Sequence, residues 1–365
     1  MKVSLLADAP PLPPPPAPPE APRQRRPQRL LVVLLVAATA AAIGAVGLSS
    51  PHTPSPTDSL PPAPGAVSCK VGFYVESLHD GNVTAGTFSA DLWAWSVCPA
   101  GSVKPLDTIE FTNANNVQKS FESTTSERNG TVYSSARVTG QFRHSYELAG
   151  YPFDRQHFEI QFEDTGADSA QLAYSPDEAN TACAPHLSLE DWSVSRCSLS
   201  VDRHAYATNF GDPGEVSGTV HTYDRGTLIM ASTRSQPVTE YLKSTSIIYP
   251  SVLLIIISFF LMTEATNTLG ARMSTAGGAL FSVALSMKAL SSQLNADNHL
   301  TLMDGIGLLA LACVVFAGGT AMWCQRRLDE GVEFAQVRTA SHRLGWTVLA
   351  VFVAMNALLV ALAVR

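Results

Sequence analysis

The 365-residue sequence has few charged residues and lacks the short motifs of common enzymes. Only 15% of the residues are charged, which is low for a soluble globular protein. The chain has no G-x-S-x-G, no H-E-x-x-H and no phosphate-binding loop, so the usual hydrolase, zinc-protease and nucleotide sites are missing. Its cysteines and histidines show no zinc-site spacing, and its central part has no basic patch. We therefore expect no enzymatic activity, no cofactor or metal, and no nucleic-acid partner.

Charge and hydrophobicity divide the chain into four segments. Residues 1–48 combine a Pro-rich cytoplasmic leader, a basic cluster and an apolar run, as in a signal peptide or an uncleaved anchor helix. Residues 49–66 are a linker rich in Pro and Ser. Residues 67–242 contain 11 Lys or Arg and 22 Asp or Glu, a formal charge of −11, whereas residues 243–365 are mostly apolar. Such a leader exports the segment that follows it.

Residues 67–242 show the pattern of a β-structure. Apolar residues alternate with polar ones in short runs, for example at Phe158, Ile160 and Phe162. Alternation with a period of two is typical of half-buried strands, and several such runs separated by turns predict an antiparallel β-sandwich. We interpret this segment as an extracellular ligand-binding domain.

Four of the six cysteines lie in the exported segment, where disulfides can form. They allow three connectivities. The short gap between Cys183 and Cys197 favours that pair, which leaves Cys69 to bond Cys98.

Four apolar segments follow and predict a bundle of four transmembrane helices: 246–262, 271–292, 300–323 and 344–364. Each approaches the ~20 residues that cross a bilayer as a helix. The predicted loop Gln325–Arg343 contains four arginines, whereas the preceding loop, Gln293–His299, has no Lys or Arg. Because basic loops stay in the cytoplasm, this bias predicts a multi-pass protein of the cell membrane whose N-terminal domain and C-terminus are extracytoplasmic.

The segment 271–292 is unusually polar for a lipid-facing helix. Thirteen of its 22 residues are Ala, Gly, Ser or Thr, and it carries Arg272 and Lys288. Such a helix prefers protein or water to lipid. It indicates either a pore lining or a close-packed helix contact at Gly277 and Gly278.

Several collinear motifs resemble the pentameric ligand-gated ion channels, the Cys-loop receptor superfamily. They are YPFDRQ at 151–156, TFSADLW at 87–93, GAR at 270–272, and the residues Arg234, Tyr241 and Pro250. The cysteines that flank the first motif in animal receptors are absent, which resembles the prokaryotic members. The resemblance implies a homopentamer with a central pore, in contact with membrane lipid and permeant inorganic ions.

The resemblance also assigns roles to individual residues. The pore-lining residues would be Ser274, Gly278, Phe281, Leu285, Lys288 and Ser292. The residues that couple ligand binding to gating would be Tyr151, Pro152, Phe153, Asp154 and Arg234, and we expect Asp154 to pair with Arg234. The agonist, a small molecule such as an amine, would bind between subunits at Trp93, Tyr174 and Tyr223 through cation–π contacts.

The sequence favours an anion-selective channel, but it contains arguments for cation selectivity and for a protein that does not conduct. Arg272 and Lys288 favour anions, because rings of basic residues attract them, although the exported segment would concentrate cations. The alternative to a channel is a membrane-anchored extracellular sensor or binding protein that does not conduct ions.

Overall fold

The computed structural model describes residues 63–126, 129–211, 213–214, 216, 218–262, 268–294 and 300–364. The leader, the signal or anchor segment and most of the linker predicted for residues 1–66 lie outside this range.

Eleven strands form the first half of the described chain. They are β1 (Val67–Asn82), β2 (Thr87–Pro99), β3 (Ile109–Phe111), β4 (Ala114–Ser126), β5 (Thr131–Arg143), β6 (Arg155–Asp164), β7 (Leu172–Pro176), β8 (Ala182–Cys183), β9 (Ser188–Leu189), β10 (Trp192–Tyr206) and β11 (His221–Arg234). One short helix, α1 (Pro105–Thr108), lies among them.

The strands form two sheets. In the first sheet the order is β4-β5-β2-β1-β7, and β8 also pairs with β1. In the second sheet the order is β3-β6-β11-β10-β9. The long neighbouring strands are antiparallel, and the short strands β7 and β8 run parallel to β1.

Residues from both sheets share one hydrophobic core. Phe73 of the first sheet contacts Phe162 of the second, with ring centroids 4.9 Å apart. Phe162 also covers Gly226, where a Cβ would overlap its ring, so glycine is required at this close approach. In β2, β5 and β6 the alternating sequence pattern thus becomes alternating burial, with the apolar residues facing this core.

Five helices follow the strands in the described chain: α2 (Pro237–Thr245), α3 (Ile248–Ser258), α4 (Thr268–Leu294), α5 (Leu302–Asp329) and α6 (Phe334–Val364). By length and composition α4, α5 and α6 could each cross a membrane, and α2 with α3 could form a further span bent by 47°. Thr301 and Asp304 begin α5 with a reciprocal capping box, which satisfies two of its free backbone donors.

The prediction of a loop over Gln325–Arg343 is wrong. Helix α5 continues to Asp329 and α6 begins at Phe334, so only residues 330–333 separate them. Arg326 and Arg327 both pair with Glu330 at helical spacing, which supports the charged end of α5. Hydropathy marks where a helix stops being apolar, and these two helices extend beyond that point. Arg326 and Arg327 therefore lie in the last turn of α5, and Arg338 and Arg343 lie in the first three turns of α6.

Candidate functional site

Helix α4 has two distinct faces. Its buried face carries Arg272, Ala276, Ala279, Val283 and Leu294 and packs on the neighbouring helices. Only 17% of its most apolar stretch is buried, against 67% for α5, although α4 is the less apolar of the two. Most of the surface of α4 is therefore open in a single copy of the chain.

The six predicted pore-lining residues all lie on the open side of α4: Ser274, Gly278, Phe281, Leu285, Lys288 and Ser292 are exposed. Its two large apolar members are strongly exposed, since Phe281 is 71% exposed and Leu285 is 56% exposed. Alternating steps of three and four residues place the six in one stripe. The stripe runs from a polar end at Ser274, past two apolar positions, to Lys288 and Ser292.

Arg272 does not belong to this stripe. It is 5% exposed and points into the helix cluster, where its Nη2 donates to Ser341 Oγ at 3.5 Å. Its guanidinium also lies over the Phe259 ring, 5.5 Å from the ring centroid. The argument for anion selectivity therefore loses Arg272 and rests on Lys288.

Asp154 and Arg234 form a buried ion pair where the strands meet the helices. Arg234 Nε donates to Asp154 Oδ1 at 2.7 Å, so the expected pairing is present. Asp154 Oδ2 accepts two further bonds, from Gln156 Nε2 at 2.9 Å and from Trp192 Nε1 at 3.1 Å. The carboxylate is thus held by three donors, and both charged side chains are at most 5% exposed.

Aromatic rings enclose the guanidinium of Arg234. Its Cζ lies 4.2 Å from the Trp192 ring centroid and 4.7 Å from that of Tyr151. Asp191 reaches Arg234 Nη1 at 3.3 Å from the solvent side, since its own side chain is 69% exposed. This arrangement fixes the cation in place through flat aromatic faces as well as through charge.

The loop before β6 connects this ion pair to the helices. Tyr151 is buried in the hydrophobic core of the helices and lies close to Ser244 of α2, and its burial raises its pKa. The Phe153 ring lies 5.8 Å from the Tyr241 ring, also in α2. Pro152, between them, is buried. All five predicted coupling residues are therefore at the boundary of the two cores.

Two further contacts join the same loop to α5 and α6. The backbone N–H of Leu302, at the start of α5, donates to the Ala149 carbonyl at 2.8 Å. A Cβ at Gly150 would lie 3.6 Å from the Ala363 carbonyl at the end of α6. The start of α5 and the end of α6 are therefore on the side of the β-sheets, and the four arginines are at the opposite ends of these helices.

A buried histidine lies beside this loop. His144 contacts Gln156 Oε1 at 3.2 Å and packs against the rings of Tyr146 and Phe158, each 4.6 Å away. Burial lowers its pKa to about 4, because the charged form loses its hydration. His144 is consequently neutral at pH 7.

The three predicted ligand-binding residues do not form one site within a single chain. Trp93 lies on β2 of the first sheet, on the face away from the core, with its ring 6.4 Å from exposed Phe121. Tyr223 is half-buried on β11 of the second sheet. Tyr174 is in strand β7 rather than in a loop and is buried against Phe162, and burial raises its pKa well above the usual value.

Sequence reasoning missed a set of aromatic residues around Tyr223. Tyr206 lies 5.9 Å from the Tyr223 ring and 5.6 Å from that of Phe210, which is 63% exposed. Tyr206 also donates to Glu163 Oε2 at 2.9 Å, and Arg225 Nε bonds the other oxygen of that carboxylate at 2.5 Å. Tyr206 and Tyr223 lie on the paired strands β10 and β11. Aromatic residues at neighbouring positions across such a hairpin could have indicated the cluster from the sequence.

Two disulfides fasten the strands near these sites. Cys69 is joined to Cys98 within the first sheet, and Cys183 is joined to Cys197, which links β8 of the first sheet to β10 of the second. This is the pairing that the spacing favoured. In the described residues no group of three or more His, Cys, Asp or Glu side chains could hold a metal ion.

No protein-family model matches the chain, and no curated protein matches its sequence.

Proposed function

We propose that this chain is the subunit of a homopentameric, ligand-gated ion channel of the prokaryotic type. In this proposal the two sheets form an extracellular β-sandwich, and α2–α3, α4, α5 and α6 form a four-helix transmembrane bundle. The observation that carries it is the open face of α4. This helix is too polar to face lipid, and within one subunit most of its surface has no protein contact. Further copies of the chain around a water-filled axis would provide the protein and water that this surface needs.

The stripe on α4 gives the proposed pore its properties. Rings of Phe281 and Leu285 would close it by excluding water, and Lys288 would place a positive ring towards the outer mouth. The helix ends that carry the arginines would be cytoplasmic, which follows the positive-inside bias. With Arg272 buried, a preference for anions depends on Lys288.

The cluster around Asp154 and Arg234 would carry the signal between the two parts. A ligand opens a pore only if it binds the open state more tightly, so the β-sheets and the helices must move together. Tyr151 and Phe153 reach α2, and Ala149 holds the start of α5, so a displacement of this loop would reach the helices that flank α4.

The ligand would bind between neighbouring subunits. Trp93 and the aromatic cluster at Tyr206 and Tyr223 lie on different sheets, so one copy would contribute the first and its neighbour the second. Aromatic faces at both sides suit a cationic amine.

Ion flux through liposomes that contain the purified full-length protein tests the proposal. Phe281→Ser should raise the resting flux, because the apolar ring is lost. On that background Lys288→Glu should move the reversal potential in a NaCl gradient towards that of cations. Lys243→Glu, at an exposed lysine of α2 that pairs with Glu240 and lies outside the stripe, should not. Liposomes that stay impermeable with wild-type protein and with Phe281→Ser would contradict conduction and favour a non-conducting sensor.

A further inference from the structure

Arg272 occupies a position that the proposed pore does not explain. It lies in the second turn of α4, yet it is buried and points away from the stripe. Its Nε has no hydrogen-bond partner within the described residues, and the ion pairs among those residues do not include it. A buried guanidinium is costly, and one within a membrane segment usually has a specific role.

The surroundings of Arg272 come from all three other parts of the helix cluster. The Phe259 ring, directly after α3, faces its guanidinium. Ser341 of α6 accepts a hydrogen bond from Arg272 Nη2 and donates one to the Phe259 carbonyl at 2.9 Å. The thiol of Cys324 in α5 lies close to both Arg272 and Ser341.

This group lies at the end of the helices that is remote from the β-sheets. Helix α3 ends at Ser258, and the Phe259 ring beside the Arg272 guanidinium follows directly, so Arg272 lies at the end of this helix. Ser341 is fully buried and Cys324 is 1% exposed, which shields the contact from solvent.

We propose that Arg272 is a positioning residue that fastens the inner end of α4 to α3, α5 and α6 and keeps its own charge out of the ion pathway. The proposal rests on the proposed channel function. It states which end of the pore helix stays fixed to the neighbouring helices. Selectivity then depends on residues of the stripe, and Arg272 affects how readily the pore opens.

Four variants separate this role from a role in selectivity. Arg272→Gln removes the charge, Arg272→Lys keeps the charge but loses the planar fork, and Ser341→Ala removes the bridging hydroxyl. Arg343→Gln is the matched control, because Arg343 is an exposed arginine two residues after Ser341 in α6. All four are made in the full-length protein carrying Phe281→Ser, so that ion flux is measured without knowledge of the agonist.

We expect the reversal potential and the resting flux to respond differently to these variants. Arg272→Gln should leave the reversal potential in a NaCl gradient unchanged and alter the resting flux at least threefold, with partial recovery in Arg272→Lys. Ser341→Ala should change the flux in the same direction, and the double variant should go no further than Arg272→Gln alone, because both act on one contact. A shift of the reversal potential as large as that of Lys288→Gln would overturn the proposal, as would independent, additive effects of Arg272→Gln and Ser341→Ala.

The same cycle has a readout that does not need conduction. In thermal unfolding of the full-length protein in detergent, losses of Tm from Arg272→Gln and Ser341→Ala should also be less than additive, whereas Arg343→Gln should leave Tm unchanged. If no liposome sample conducts, the channel proposal fails while the Tm cycle still decides whether the contact exists. Additive losses of Tm would contradict the contact itself.

Discussion

The buried pair of Asp154 and Arg234 provides the most quantitative prediction. Asp154→Asn removes one charge and leaves the Arg234 guanidinium buried without its counter-ion. Asp191, the other partner of Arg234, is 69% exposed and does not replace the buried carboxylate. The change also replaces an acceptor oxygen by an NH2 group among three donors, which lie 2.7–3.1 Å from the carboxylate. Breaking a buried pair in this way costs about 3–5 kcal/mol of stability.

The loss should be visible as a large change in Tm. For a folded region of 150–250 residues, 1 kcal/mol corresponds to a shift of about 2–4 °C, so Asp154→Asn should lower Tm by roughly 10 °C. The measurement is thermal unfolding of the purified full-length protein in detergent, followed by tryptophan fluorescence, since Trp192 contacts both members of the pair.

Asp191→Asn is the control, because Asp191 pairs with the same guanidinium but is largely exposed. An exposed pair contributes about 0–1 kcal/mol, so its loss should lower Tm by a few degrees at most. The double variant Asp154→Leu/Arg234→Met should be more stable than Asp154→Asn, because no uncompensated charge remains. Equal losses from Asp154→Asn and Asp191→Asn would refute the reasoning.

Two further predictions concern the β-sheets. The folded pKa of His144 is about 4 against 6.5 for an unperturbed histidine, so its contribution to stability is complete above about pH 6.5 and is lost as the pH falls towards 4. The difference amounts to about 3 kcal/mol, and Tm measured from pH 7 to pH 4 should fall further in the wild type than in His144→Phe; parallel curves would contradict this. Gly226→Ala forces a Cβ into the Phe162 ring and should cost about 1–3 kcal/mol, whereas Gly319→Ala, which has open space around it, should not lower Tm. An unchanged Tm in Gly226→Ala would show that the ring can move aside.

Local sequence patterns could predict the strands and the two faces of α4. Alternation placed Phe158, Ile160 and Phe162 in the core, because the side-chain period of a strand is fixed by its geometry. Likewise, the 3.6-residue period of a helix places Phe281 and Leu285 in one stripe, but the family resemblance was needed to identify that stripe as the pore-facing one. The ion pair between Asp154 and Arg234 was expected from the family resemblance, since 80 residues separate the two in sequence.

Other features depended on contacts that no local pattern contains. Arg272 was expected to contribute to selectivity, and its burial is decided by Ser341 and Phe259, which lie in other helices. Tyr174 was expected to bind the agonist, but its strand pairs with β1 and its ring packs on Phe162. The continuation of α5 and α6 through the charged region was missed, because a fall in hydropathy was interpreted as the end of a helix.

The account depends on water reaching the stripe on α4 within an assembly of several copies. The most direct measurement is the reaction of single cysteines along α4 with a charged, membrane-impermeant thiol reagent in the reconstituted full-length protein. We predict fast modification at Gly278→Cys, Phe281→Cys, Leu285→Cys and Ser292→Cys, and none at Ala276→Cys, Ala279→Cys or Val283→Cys on the buried face. Absence of modification along the stripe would contradict the proposed pore.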